Sequence, residues 1–91
     1  MNNETISKLK GLIDEVIYAP TKKDAQHQLR RLEFMASGLR GRIDPYLSGK
    51  LSEVIAYAKE ASGRVNNKSH WISCVDQCWY VFESGVQRLE Q

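Results

Sequence analysis

The sequence is poor in the features that common catalytic, membrane and secreted proteins need. Its 91 residues include only two cysteines, Cys74 and Cys78. These lie one helical turn apart, whereas a stapling disulfide joins distant segments, so a disulfide scaffold is not indicated. A reducing, cytoplasmic setting is the expectation. No apolar run approaches the roughly 18 residues that span a bilayer, and Met1-Asn2-Asn3-Glu4 lacks the basic start of a signal peptide, so no membrane partner is expected.

Catalytic motifs are missing too. There is no G-x-S-x-G, no G-x-x-x-x-G-K and no H-E-x-x-H, which removes the usual serine-nucleophile, phosphate-loop and zinc-protease signatures. Neither a cofactor nor enzymatic activity is expected. Alternating apolar and polar residues, the mark of a half-buried strand, do not occur either; the apolar positions recur with a helical period.

What the sequence does contain is four amphipathic helix patterns, at approximately 4–18, 22–40, 45–62 and 70–90. The fold class expected is all-α, a small antiparallel bundle in one domain covering 1–91. The first pattern follows Asn3 as a capping residue and buries Ile6, Leu9, Ile13, Val16 and Ile17. Pro20 ends it, and Thr21 with Asp24 three positions on resembles a capping box that opens the second. There Ala25, Leu29, Leu32, Ala36, Leu39 and Ile43 fall on one side, with Met35 at the margin, and Gly38 and Gly41 weaken the last turns. Asp44-Pro45 starts the third, an N-cap followed by the residue whose missing N–H costs nothing at the first helical position. Its core face is Leu47, Leu51, Val54, Ile55 and Ala58, and Gly63 is the expected C-cap. Ser69 is the expected cap of the fourth, whose stripe is Trp71, Val75, Cys78, Phe82, Val86 and Leu89.

His70, Cys74 and Cys78 are spaced i, i+4, i+8, and His27 would complete a Cys₂His₂ count. Structural zinc sites usually set paired cysteines on a tighter knuckle, and Cys78 belongs to an apolar stripe, so buried thiols and no metal are expected. Tyr46 and Tyr57 are expected to close the edge of the core.

The formal charge of +2 is small but unevenly distributed: residues 21–43 hold six basic and two acidic residues. At about 100° per residue, a core direction set by Ala25, Leu29, Leu32 and Ile43 turns Lys23, His27, Arg30 and Phe34 outward, and with Arg31 these are the candidate partner-binding residues. An aromatic ring among arginines is the composition of an interaction surface, with the ring supplying burial and the arginines charge-assisted hydrogen bonds. Lys22, Arg40, Arg42 and Tyr80 are secondary candidates. The reading that follows is a non-enzymatic module that covers a functional surface of a larger protein or ribonucleoprotein with an acidic or phosphate-accepting face. Inhibitors, immunity proteins and antitoxin-like adaptors act this way, and the size suits an accessory protein of a bacterium or phage, such as a blocker of host defence. Two alternatives use the same residues: nucleic-acid binding through the basic helix, and an oligomer that sequesters an anionic nucleotide. So short a chain buries only about 60 to 65% of its unfolded surface, so its stability margin is modest and association into a homo-oligomer would add to it.

Overall fold

The structure, a computed structural model, describes residues 3–89. It consists of four helices, α1 (Asn3–Ile17), α2 (Lys22–Leu39), α3 (Pro45–Ala61) and α4 (Lys68–Leu89), packed as a small bundle with extents of 39 × 23 × 20 Å. No strand occurs among the described residues. No described helix is long and apolar enough to cross a membrane.

Each helix begins and ends for a local reason. The Thr21 hydroxyl accepts from the Asp24 N–H at 3.0 Å and the Asp44 carboxylate from the Leu47 N–H at 2.8 Å, each satisfying a donor that the first turn leaves orphaned. Asn3 is itself helical, and what precedes it lies outside the described residues. Ser69 does not cap α4: the helix begins one residue earlier, and the Asn67 carbonyl accepts from the Trp71 N–H at 3.1 Å. The α3 cap is Ser62, in extended conformation, with Gly63 following at φ +72°. A side chain at Gly63 would be strained at that φ and would also bring its Cβ to 3.0 Å from the Lys22 backbone nitrogen. Glycine is required here because the turn after α3 presses against the start of α2.

Packing is unequal. The first three helices pack against one another, whereas α4 lies principally on α3. The α3–α4 pair is antiparallel, since Tyr57 stacks on Trp71 near one end with ring centroids 5.9 Å apart, and Leu47 meets Gly85 near the other. A Cβ on Gly85 would collide with the Leu47 side chain, so glycine sets how closely these two helices approach.

The core is a single cluster built from all four helices, with Leu9, Ile13, Leu32, Leu51, Val75 and Phe82 among its fully buried members. Three sequence expectations fail at the periphery. Leu89 is 59% exposed, because the Leu47–Gly85 register carries the end of α4 past the first residue of α3. Tyr46 is exposed as well, since it stands about 100° around α3 from the inward-facing Leu47; the Lys50 ammonium lies 5.6 Å from its ring centre. Trp79 is buried instead, its ring centroid 5.4 Å from that of Phe82. Ile43 lies beyond α2 rather than on it and is half-buried against the core.

Candidate functional site

Helix α2 turns Ala25, Leu32, Ala36 and Leu39 into the core, and this fixes the direction of everything else on it. Lys23, His27, Arg30, Arg31 and Phe34 are all exposed. Phe34 is 82% exposed, the highest value among the large hydrophobic side chains that reach the surface. One turn before it stand Arg30 and Arg31; one turn after it stand Ser37 and Gly38, and a Cβ at Gly38 would meet nothing within 4 Å. The ring therefore has cations on one side and open space on the other.

Those cations are uncommitted. Among the described residues, the ion pairs formed are Lys8 with Glu4, Lys10 with Asp14 and Lys50 with Glu53. None of these pairs involves Lys23, Arg30, Arg31, Arg40 or Arg42. Arg30 and Arg40 also border two adjoining shallow depressions between α2 and α3, which share Glu33 and Lys59. The basic strip thus continues from the crest of α2 into the neighbouring groove, with one carboxylate near its middle.

Lys22 behaves differently. Its ammonium donates to the carbonyls of Lys59 at 2.9 Å, Glu60 at 3.3 Å and Ser62 at 3.3 Å, where a cation favours the negative end of the α3 dipole. It is engaged in holding α2 to α3 and is not part of the outward strip. Tyr80 is 72% exposed but stands on α4, so the fold does not bring it onto the α2 face. It lines a separate depression of about 400 Å³ with Tyr46, Leu47, Gly85, Arg88 and Leu89. Sequence spacing gave no hint of this grouping, because it depends on the register of α3 against α4.

The cysteine region is a polar margin of the α3–α4 contact. Cys78 is half-buried and its thiol donates to Glu53 Oε2 at 3.5 Å, while Lys50 Nζ donates to the same oxygen at 3.1 Å. Lys50 is the main cause that lowers the Glu53 carboxyl, and burial, followed by the neighbouring carboxylate, raises the Cys78 thiol. A raised thiol disfavours the nucleophilic thiolate. His70 Nε2 lies 3.9 Å from Cys74 Sγ and meets the edge of Trp71. Among the described residues, no three His, Cys, Asp or Glu side chains are grouped to hold a metal ion.

No family model matches this chain, no curated protein matches it in sequence, and no solved structure matches it.

Proposed function

We propose that this chain is a small, non-enzymatic protein-binding module that docks through α2 and covers a functional surface of a larger macromolecular partner. The observation that carries the reading is the placement of Phe34, 82% exposed beside two arginines that form no ion pair among the described residues. Large aromatics and arginines dominate binding energy at interface centres, where the ring is desolvated and the guanidinium makes paired hydrogen bonds to carboxylate or phosphate. The long side of a 39 × 23 × 20 Å molecule matches the roughly 800 Å² that one partner contributes to a standard interface. A helix already locked by its buried face loses little freedom on docking. The setting proposed is the cytoplasm, and the mode of action that of an inhibitor, immunity protein or antitoxin-like adaptor, carried by a bacterium or phage as an accessory protein.

The run of cations that form no ion pair among the described residues favours a second reading, nucleic-acid binding. Glu33 lies among those cations in the α2–α3 groove, where an uninterrupted polyanion meets like charge and a protein surface can supply a base. Salt separates the two readings: phosphate contacts weaken steeply with ionic strength, and an interface centred on an apolar ring weakens less.

The test compares wild type with the double variant Phe34→Ala/Arg30→Ala in capture from the native host. The variant should keep its helical content and melting temperature while losing the partner that wild type retains. A folded variant that captures the partner undiminished rejects this face.

A further inference from the structure

We propose that a second copy of this chain occupies the α2 face, with Phe34 of one copy seated against Tyr80 on α4 of the next. The inference rests on the reading of α2 as a protein-docking surface and names its first occupant.

Two exposed aromatic sites on the same molecule, one a projecting ring and the other a depression, are flanked by opposite charges. Phe34 is a projecting ring that stands 82% exposed. Tyr80, Tyr46 and Leu89 are three of the five large hydrophobic side chains left exposed, and they line a single depression floored by Leu47 and Gly85. The close α3–α4 approach at Gly85 creates that floor. A depression walled by two tyrosines fits an aromatic edge or face.

Charge follows the same division. Phe34 has Arg30 and Arg31 one turn away on its helix, and Tyr80 has Asp76 and Glu83 one turn to either side on its own. None of these four charged groups has an ion-pair partner among the described residues. Asp44 and Arg88 also border the depression and offset one another. Docking α2 on α4 of another copy would pair cations with carboxylates around two stacked rings. The isologous alternative, α2 on α2, would gather four unpaired arginines about two phenylalanines, so like charge opposes it. The contact is therefore heterologous, and each copy keeps one donor face and one acceptor face. A larger partner that takes Phe34 competes with this contact.

Sedimentation velocity on the full chain across a concentration series tests the proposal. Wild type should gain mass with concentration, and Phe34→Ala and Tyr80→Ala should each weaken association by at least about tenfold. Both residues are exposed, so the variants should remain folded, which circular dichroism checks. Mixing the two variants should give a one-to-one dimer and nothing larger, because one retains the acceptor and the other the donor. Charge reversal supplies an independent arm: Arg30→Glu weakens association on its own, as does Glu83→Lys, and mixing the two restores association with the two chains alternating. A wild-type chain that stays monomeric to about 1 mM, the range of the weakest specific contacts, overturns the proposal. So does association that Tyr80→Ala leaves intact. If wild type is monomeric yet Phe34-dependent partner capture persists, self-docking alone fails and the docking face stands.

Discussion

The Lys68 ammonium donates to the Ile17 carbonyl at 2.6 Å, across 51 residues of chain. The same nitrogen donates to Ala61 at 2.9 Å and Gly63 at 2.8 Å, and it lies 5.8 Å from the Tyr18 ring centre. Its three hydrogens thus satisfy carbonyls at the ends of both α1 and α3, where the helix dipoles favour positive charge. Lys22 does similar work from the other side of the α3 terminus.

Removing that cation should be costly. Lys68→Met keeps most of the apolar stem but leaves three carbonyls without their donor, a loss of about 1 to 3 kcal/mol. Thermal unfolding followed by circular dichroism should show a fall of at least roughly 4 °C. An unchanged melting temperature would mean that water replaces the ammonium without penalty.

Two glycines should respond with different signs to the same substitution. Gly11→Ala lies on the exposed side of α1 with nothing within 4 Å of the new methyl group, so it should stabilise by up to about 1 kcal/mol through helix propensity. Gly85→Ala gains the same propensity but drives its methyl group into the buried Leu47 side chain, and overpacking of this kind costs about 1 to 3 kcal/mol. Denaturant melts of the two variants should move in opposite directions from wild type.

The two phenylalanines separate stability from recognition. Phe82 is fully buried, and its replacement by alanine should cost about 3 to 5 kcal/mol. Phe34→Ala should stay within about 0.5 kcal/mol of wild type, as surface changes do. Chemical denaturation checks both; a large loss at Phe34 would show that the ring contributes to the monomer's own packing.

The Cys78 thiol, raised by burial and by Glu53, should alkylate more slowly in the native protein at mildly alkaline pH than in the unfolded chain. Because its folded-state pKa is raised, its contribution favours the native state below the ordinary thiol range and is lost as pH rises through the folded value. Glu53 has the opposite sign: its lowered carboxyl stabilises above the usual carboxylate range and ceases to as pH falls through the folded value. Mass-resolved iodoacetamide labelling of native against denatured protein tests the thiol. Equal rates at Cys78 in the two states would refute the burial argument.

Much of this molecule was legible along the chain. Ile6, Leu9, Ile13, Val16 and Ile17 point inward because helical periodicity leaves no other way to remove them together from water. Thr21, Asp44, Pro20 and Pro45 set boundaries because capping and proline sterics act within a few residues. The exposure of Phe34 is the same periodicity read from its other side.

The sequence by itself therefore determined the four helices, their buried stripes and the outward strip of α2, since each depends on interactions no longer than one or two turns. Only the tertiary structure decided that Lys22 and Lys68 serve helix ends rather than a surface, that Leu89 overhangs α3, and that Tyr46, Tyr80 and Leu89 share one depression. Those outcomes depend on the register between helices, which is set by how Gly85 fits against Leu47 and Gly63 against the start of α2. Such register comes from the close packing of distant side chains, and local periodicity carries no record of it.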